Sequence, residues 1–395
     1  MISSKMIKLA QNNSVIRAMF EEGNRLAAEF GRENVFDFSL GNPNFPPPEA
    51  VKRAVIDVLT DTPPTEIHGY MSNAGFPEVR GAIASSLNAK HGTAFTAGNI
   101  IMAVGAAGAL NVALKTLLNP DDEVIALAPY FVEYGNYVGN YDGKLVVVPA
   151  NPPSFQPSAD ALAAAITPKT KAVIINTPNN PTGVIYSEAS LKALAAALEA
   201  KQKEYGTSIY LISDEPYREL AYDGAVVPWV SNFYKNTLVC YSWSKSLSLP
   251  GERIGYIAVP GEIDEFELIF EAASIATRVL GFVNAPSLLQ LAVARCLEEK
   301  TDLEGYDANR RALYDGLTAR GFECVFPQGA FYMWVKAPDG DDKAFAAAAK
   351  KYNILFVPGT SFACPGYVRI AYCVAKATIE NSMDGFAKLA KEYGL

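Results

Sequence analysis

The sequence predicts an α/β fold, in which a mostly parallel sheet of the seven-stranded type is flanked by helices and joined to a smaller α+β domain. From about residue 95, short β-rich runs alternate with longer helical patterns, which is typical of a parallel sheet covered on both faces. After about residue 285 this alternation gives way to two long helical stretches, 287–299 and 303–320. The 395 residues, 50% of them hydrophobic, also provide enough apolar mass for more than one core.

Seven apolar runs are the predicted strands of the large sheet. Each is rich in β-branched residues and is bounded by turn residues or by a helical pattern. The clearest connecting helix begins after Ser187, a typical N-cap, and ends near Gly206, a typical C-terminal glycine. The predicted strands cover residues 100–104, 122–128, 145–148, 171–176, 208–213, 237–242 and 256–259.

The small domain is predicted to combine the two ends of the chain. Downstream of the long helices lie short apolar runs such as CVFP, AFYMWVKA and VRIAYCV, together with a helical FAAAAKKY. A helix near 15–31 and the segment after it can return to these runs, and the proline cluster at 46–48 marks the crossing. We therefore expect a large domain at 46–295 and a small domain formed by 1–45 and 296–395.

Composition and charge argue against several classes of protein. The formal net charge is −8 and no block of like charge stands out, so we expect no nucleic-acid partner. No apolar run is long enough to span a bilayer, and the first residues lack the apolar core of a signal peptide. The five cysteines are scattered without a CxxC pair, which predicts reduced thiols in a cytoplasmic protein. His68 and His91 are isolated, so we expect no metal site.

The residues that follow each predicted strand are the candidate site, because ligands bind beyond the carboxyl ends of the strands in an open parallel sheet. The first strand is followed by Gly105–Gly108, where the backbone N–H groups of Ala106 and Ala107 suit a phosphate, although a tight turn alone explains them equally well. Phe131 follows the next strand, and Asn180 lies in a proline-flanked turn after the fourth.

The strands at 208–213 and 237–242 are followed by charged residues. A carboxylate that leaves an apolar strand is costly to bury unless a cationic or protonated partner is present. A lysine among serines and aromatic residues, just after a buried strand, is likewise an unusual place for a solubilising charge. The residues are Asp214 and Tyr217 after the first strand, and Ser242, Ser244, Lys245 and Arg253 at and beyond the end of the second.

One ligand, pyridoxal phosphate, accounts for all of these residues. Its aldehyde condenses with a lysine amine, which Lys245 provides, and its ring nitrogen is kept protonated by a carboxylate, which Asp214 provides. The protonated ring then withdraws electrons from Cα of an amino acid. Asn180 and Tyr217 suit the ring oxygen, as neutral donors that stabilise its deprotonated form. The remaining assignments are Phe131 for the ring face and Arg253, Ser242, Ser244, Ala106 and Ala107 for the phosphate.

Five spaced motifs extend this pattern over most of the chain. Through them the sequence resembles the class I/II aminotransferases, the aspartate aminotransferase-like group of the fold-type I pyridoxal-phosphate enzymes. A single motif is weakly specific, whereas the spaced set is highly specific. The motifs are HGYMSNAGFPEVR at 68–80, NNPTG at 179–183, SDEPY at 213–217, SWSKSLSLPGERIGY at 242–256 and VRIAY at 368–372.

The resemblance implies further roles. It assigns Arg369 to the substrate α-carboxylate, which a planar cation binds in bidentate fashion. It assigns Tyr70 to the cofactor phosphate of a partner subunit, which implies a homodimer with shared active sites, and Gly41 to a loop that closes over the substrate. The implied reaction is ping-pong transamination between an amino acid and a 2-oxo acid such as 2-oxoglutarate, with Lys245 moving the Cα proton while Asp214 and Tyr217 tune the cofactor.

The side chain of the amino donor stays open between aspartate and a broader or aromatic set. The residue expected to stack on the ring is phenylalanine, whereas the best-known members of the family have tryptophan there. The second arginine of dicarboxylate-specific enzymes has no clear match, although Arg278 lies close to its place. The candidate pocket residues are Tyr130, Tyr134, Arg278, Phe282 and Phe362, and core or interface packing is the alternative role for each of them.

Other functions compete with transamination to different degrees. A lyase of the same fold, such as a C–S lyase, a cyclopropane-forming synthase or a decarboxylase, shares the cofactor and stays an alternative. A nicotinamide dehydrogenase built on VGAAGAL lacks two glycines of GxGxxG, because Ala107 and Leu110 stand in their places. A regulatory protein of this fold usually carries an added DNA-binding domain, for which 395 residues leave no room.

Overall fold

The protein, described over residues 2–11 and 15–395 in a computed structural model, is built on three β-sheets of seven, four and two strands. The strands are β1 (Phe36–Asp37), β2 (Ile100–Ala103), β3 (Glu123–Leu127), β4 (Lys144–Val148), β5 (Thr170–Asn176), β6 (Tyr210–Asp214), β7 (Thr237–Ser242), β8 (Gly255–Ala258), β9 (Cys324–Val325), β10 (Tyr332–Lys336), β11 (Ile354–Leu355), β12 (Val357–Pro358) and β13 (Tyr367–Ala371).

Helices surround these sheets, and short 3₁₀ turns join several of the elements. The α-helices are α1 (Ser4–Gln11), α2 (Val15–Phe30), α3 (Glu49–Asp61), α4 (Pro64–Ile67), α5 (Pro77–His91), α6 (Gly105–Leu117), α7 (Tyr134–Asn140), α8 (Ala159–Ala165), α9 (Glu188–Tyr205), α10 (Trp243–Ser246), α11 (Phe266–Val279), α12 (Ser287–Ala294), α13 (Leu303–Thr318), α14 (Asp342–Ala349) and α15 (Lys376–Glu392). The 3₁₀ turns are Arg32–Asn34, Ala97–Asn99, Val230–Asn232, Lys350–Tyr352 and Gly359–Phe362.

The seven-stranded sheet has the order β2-β8-β7-β6-β5-β3-β4. Strand β8 runs antiparallel to both of its neighbours, and the other strand pairs are parallel. The predicted α/β fold with a mostly parallel sheet is therefore confirmed. The parallel arrangement brings the carboxyl ends of β5, β6 and β7 to one edge, which is where the candidate site residues follow their strands.

Both faces of this sheet are covered by helices, which explains why the middle of its strands is apolar. Along β5, Ala172 and Ile174 pack with α6 and α11 on one face, because successive side chains point to opposite sides of a strand. Val173 and Ile175 pack on the other face with the apolar residues of α8 and α9. The same alternation directs the side chain of each strand-end residue toward one face or the other.

Local capping explains the best-defined connecting helix, α9. The Ser187 hydroxyl accepts a hydrogen bond from the Ser190 N–H at 3.1 Å, and Gly206 ends the helix with φ of 66°. A left-handed φ favours glycine, so both predicted ends of α9 are confirmed.

Two boundaries predicted from the sequence are wrong. The helix predicted at 287–299 ends at Ala294, because the next turns are closed by i to i−3 hydrogen bonds such as Arg295 N–H to Ala292 O. The strand predicted at 208–213 covers Tyr210–Asp214, so Asp214 is its last residue and does not follow it. The backbone of Asp214 is paired with both neighbouring strands, which fixes this carboxylate to the sheet.

The C-terminal part contains the four-stranded sheet, in the order β12-β13-β10-β9, and the parallel pair of β1 with β11. Phe38 of the N-terminal segment is fully buried in the core of this part, beside Phe386 at a ring-centroid distance of 6.1 Å. Trp334 and Phe362, however, share a core with the large sheet. The division into 46–295 and 1–45 with 296–395 stays a prediction. Within the described residues, no helix is long and apolar enough to cross a membrane.

Candidate active site

A cavity of about 280 Å³ lies at the carboxyl ends of the parallel strands, and it brings together every predicted site residue except Tyr70. Its lining comes from the strands of the large sheet, from helices and connecting segments next to them, and from the C-terminal sheet, so the site lies where these parts meet. Tyr70 has a side chain that is 94% exposed and does not line this cavity. The predicted residues in the lining are Gly41, Ala106, Ala107, Phe131, Asn180, Asp214, Tyr217, Ser242, Ser244, Lys245, Arg253 and Arg369.

Asp214 presents one free carboxylate oxygen at this cavity. Its Oδ2 accepts a hydrogen bond from the Tyr134 hydroxyl at 2.6 Å, whereas its buried Oδ1 has no hydrogen-bond partner among the described residues. Burial raises the pKa of Asp214 to about 7, although the Tyr134 hydrogen bond opposes this shift. An unpaired buried carboxylate oxygen is costly, and a protonated ring nitrogen is the kind of partner that would remove the cost. This geometry fits pyridoxal phosphate.

Lys245 lies on the short helix α10, directly after β7, and its amine is enclosed. Nζ donates a hydrogen bond to the Gly41 carbonyl at 2.8 Å and lies 5.3 Å from the centre of the Phe331 ring. Burial lowers the pKa of Lys245 from 10.5 to about 8; Cys373 opposes this shift, and Arg253 and Arg369 add to it. A lysine with a lowered pKa is a nucleophile and proton acceptor close to neutral pH.

This lowered pKa predicts how cofactor attachment depends on pH. We expect the rate at which pyridoxal phosphate attaches to the cofactor-free enzyme to rise with pH and to level off above about 8, since only the neutral amine of Lys245 attacks the aldehyde. At pH 7 about a tenth of the amine would be neutral. Stopped-flow absorbance across pH 6 to 11 measures this rate, and a midpoint near 10 would show that the amine is not shifted.

One end of the cavity suits a phosphate. Arg253 lies beside the start of α6, and its Nη1 donates to the Pro250 carbonyl at 2.9 Å. A Cβ added to Gly105 would overlap the Arg253 guanidinium, and its φ of +73° also favours glycine there. The hydroxyls of Ser242 and Ser244 lie 2.6 Å apart in the same lining. A cation, two hydroxyls and the first turn of α6 together form a suitable anion site.

The other end of the cavity is formed by Arg369 of β13, which is only 2% exposed. Its Nη2 donates to the Ser39 carbonyl at 2.5 Å, and its Nη1 donates to Asn180 Oδ1 at 3.1 Å. The guanidinium lies between two rings, 4.5 Å from the centre of Tyr332 and 5.0 Å from that of Phe362. These contacts leave its Nε without a partner among the described residues. An immobilised planar cation of this kind suits a carboxylate.

Two of the predicted pocket residues have other contacts than the sequence suggested. Tyr134 is fully buried and donates to Asp214, so it supports the carboxylate and does not line the cavity. Phe362 is buried against Trp334 and the Arg369 guanidinium, outside the lining. For both, the structure favours the packing role that the sequence left open, because the sequence does not show which aromatic side chains turn into the core.

The other three candidate pocket residues also lie outside the cavity of a single chain. Tyr130 is stacked on Tyr134 at a ring-centroid distance of 6.1 Å. Arg278 is exposed in the last turn of α11, and Phe282 follows that helix with 36% of its surface exposed. In one chain, none of the three reaches the lining.

Sequence reasoning missed three polar residues of the lining: Asn176, Tyr332 and Tyr137 of α7. Asn176 ends β5 opposite Asp214, and its side chain donates to the Asp214 carbonyl at 2.7 Å. A polar residue at the end of a predicted strand was a usable signal for it. Tyr332 begins β10 inside the run AFYMWVKA, where nothing in the sequence distinguishes it from a core aromatic.

Comparison with known proteins agrees with this geometry. Residues 33–386 match the family described as aminotransferase class I and II. The aspartate/prephenate aminotransferase of Thermus thermophilus is 33% identical over 373 residues, which cover 93% of this chain and 94% of the relative. The aromatic-amino-acid aminotransferase 2 of Thermococcus litoralis is 30% identical over 399 residues, with 96% of each chain covered.

Solved structures give the same result. An amino transferase from Eubacterium rectale superposes with a TM-score of 0.98 at 47% identity, covering 100% of this chain and 99% of that one. The aspartate aminotransferase of Thermus thermophilus with maleate superposes with a TM-score of 0.86 at 30% identity, covering 98% and 99%. The resemblance inferred from the motifs is confirmed, and this chain is a member of the class I and II aminotransferases, a family of pyridoxal-phosphate-dependent enzymes.

Proposed function

We propose that this enzyme moves an amino group from an L-amino acid, aspartate or a broader or aromatic set, to a 2-oxo acid such as 2-oxoglutarate in a ping-pong reaction. The observation that carries the proposal is one cavity that combines a lysine of lowered pKa, an unpaired carboxylate oxygen and an immobilised arginine: Lys245, Asp214 and Arg369. Relatives named for aspartate, prephenate and aromatic amino acids support an amino-acid substrate.

Pyridoxal phosphate would be held at both ends and across its ring. Asp214 would pair with the ring nitrogen, Asn180 and Tyr217 would donate to the ring oxygen, and Phe131 would cover the ring face. When bound, the protonated ring supplies an electron sink for the charge that develops at Cα. The proposed phosphate ligands are Arg253, Ser242, Ser244, the backbone of Ala106 and Ala107, and Tyr70 of a second subunit.

The chain's own residues would then bind the substrate and move its proton. Arg369 binds the α-carboxylate with two parallel hydrogen bonds and so orients Cα toward Lys245. The amine of Lys245 takes the Cα proton, and its conjugate acid returns a proton later in the reaction. The Gly41 carbonyl, 2.8 Å from Nζ, holds the amine beside the loop that contains Gly41. This loop would exclude water from the cavity.

Changing Arg369 to lysine tests the carboxylate assignment. We expect kcat/KM to fall about 100-fold for every amino donor, mainly through KM, because lysine cannot form the bidentate pair and every donor carries the same α-carboxylate. Steady-state kinetics with aspartate, phenylalanine and alanine measure this. Arg25→Lys, at an exposed position on α2, is the matched control and should leave kcat/KM unchanged. A loss confined to one donor would mean that Arg369 reads the side chain instead.

A homodimer with shared active sites is part of the proposal. The outer face of α11 and the turn after it expose large apolar side chains, which is typical of a surface covered by a partner. Tyr70 is also exposed on one chain, where it is available to the site of another. Sizing chromatography of an active monomer would contradict the dimer. The exposed apolar residues are Leu268, Ile275, Val279, Phe282 and Val283.

A panel of L-amino acids assayed with and without 2-oxoglutarate tests the reaction type. Transamination yields one oxo acid per glutamate formed and requires 2-oxoglutarate. A lyase would release pyruvate and ammonia, or carbon dioxide, from the donor alone, and that result would overturn the proposal.

The cytoplasmic location stays a prediction from the cysteine pattern, and all five cysteines are unpaired thiols.

A further inference from the structure

Tyr332 lies between the residues that would bind the cofactor and those that would bind the substrate. We propose that Tyr332 is a positioning residue for the reaction: its hydroxyl strengthens the hydrogen bond that Tyr217 donates to the cofactor's ring oxygen, and its ring holds the guanidinium of Arg369 in place. The inference rests on the proposed function and extends it to a residue with no role so far.

The position of Tyr332 supports both parts of this proposal. It is the first residue of β10, is 2% exposed and lines the cavity. Its hydroxyl oxygen lies 2.9 Å from that of Tyr217, and the centre of its ring lies 4.5 Å from the guanidinium carbon of Arg369. Pairing of Tyr332 with Ala371 places β10 beside β13, the strand that carries Arg369. The side chain of Tyr332 therefore contacts Tyr217, which would bind the cofactor, and Arg369, which would bind the substrate.

The direction of the hydrogen bond follows from counting protons. Each tyrosine hydroxyl has a single proton to donate. The deprotonated ring oxygen of the cofactor only accepts, so the proton of Tyr217 is used there. The bond between the two hydroxyls then requires Tyr332 to donate and Tyr217 to accept. A hydroxyl that accepts one hydrogen bond becomes a stronger donor in the next, so Tyr332 reinforces the bond from Tyr217 to the cofactor.

The position of the Tyr332 hydroxyl explains why residue 41, in the loop that faces it, is a glycine. A Cβ added to Gly41 would overlap the Tyr332 hydroxyl, so this loop approaches as closely as it does only because residue 41 has no side chain. The carbonyl of the same glycine accepts the hydrogen bond from Lys245. Tyr332 thus also limits how far the loop enters the cavity and where it presents its carbonyl to the lysine.

Tyr332→Phe tests the hydroxyl through a spectroscopic readout that does not depend on turnover. The absorbance of the bound cofactor is titrated with pH in the substrate-free holoenzyme. We expect the pKa of this chromophore to rise by about 0.3–0.5 of a pH unit, because a weaker bond from Tyr217 stabilises the deprotonated form less. The titratable and charged groups that face Tyr217 are Tyr332, Arg369, Asp214 and Tyr134, and the substitution leaves the last three in place.

A double-mutant cycle separates action through Tyr217 from a direct effect. Tyr217→Phe should raise the chromophore pKa further than Tyr332→Phe, and the double variant should match Tyr217→Phe alone. Tyr222→Phe is the matched control, because it removes a buried hydroxyl that donates to the Ala330 carbonyl at 2.6 Å, outside the cavity. This control should leave the chromophore pKa unchanged. Additive shifts, or no shift in Tyr332→Phe, would overturn the role of the hydroxyl.

Tyr332→Leu tests the ring. We expect KM for amino donors to rise about tenfold relative to Tyr332→Phe, since the phenylalanine ring still supports Arg369 whereas leucine provides no ring face. Equal KM values in the two variants would overturn the role of the ring. The Tyr332→Phe and Tyr332→Leu variants are both compared with a wild-type enzyme that binds the cofactor and transaminates. If the wild type itself lacks the lysine-linked chromophore, the proposed function fails first, which is a distinguishable result.

Discussion

Replacing Lys245 with alanine is expected to reduce transamination by at least about 10⁴-fold, because in the proposed mechanism the same amine attaches the cofactor and moves the Cα proton. No other described amine lines the cavity, so none is placed to take over either task. Single-turnover formation of the oxo acid measures the loss. Borohydride reduction followed by mass spectrometry should locate the cofactor on residue 245 of the wild type and nowhere on the variant.

The control for this change is Lys192→Ala, which removes an exposed lysine that pairs with Glu188 on α9. We expect the control to keep both the chromophore and the native rate. If Lys245→Ala retains turnover comparable to that of the control, Lys245 is not the catalytic amine. Addition of a small primary amine such as methylamine should restore part of the rate in Lys245→Ala only, since it can supply the missing base.

Replacing Asp214 with asparagine is expected to have the next largest effect, a fall of about 10³-fold in kcat. The neutral amide is isosteric with the carboxylate but cannot stabilise a positive charge on the ring nitrogen, so the electron sink at Cα is weakened. In the structure the free Oδ1 of Asp214 is the atom available for that contact. Rapid-kinetic measurement of Cα–H cleavage with a deuterated donor will show whether the chemical step carries the loss.

Tyr134→Phe provides a graded comparison at the same carboxylate. It removes the hydrogen bond to Oδ2 and leaves the charge, so we expect a loss of about 10-fold. Asp121→Asn, at an exposed turn where the carboxylate pairs with Lys144, is the matched control and should be neutral. An Asp214→Asn variant with a native rate of Cα–H cleavage would exclude Asp214 as the partner of the ring nitrogen.

Most of the large sheet could be predicted from local sequence because its strands are buried on both faces. The middle of β5 is apolar on both sides of the strand, as Ala172 and Val173 show. The antiparallel position of β8 between β2 and β7 could not be predicted in this way. The order of strands depends on how the connecting segments cross the sheet, and a local pattern carries no information on that crossing.

The candidate site was predictable to the extent that its residues follow buried strands. Lys245 follows β7 and Asp214 ends β6, so both lie at the carboxyl edge of the parallel strands. Arg369 lies inside a strand, and only the resemblance to the aminotransferases distinguished it from a structural ion pair. The sequence left Tyr134 open between the substrate pocket and core packing, and the structure places it in the core, where its hydroxyl donates to Asp214.

The sequence by itself determined which chemical groups stand at the carboxyl ends of the strands, since a residue at the end of a buried strand has its position set by its immediate neighbours. Only the tertiary structure decided which groups touch. Tyr134 meets Asp214 across 80 residues, and Tyr217 meets Tyr332 across 115. Such contacts depend on how distant elements pack against one another, and that packing is a property of the whole fold.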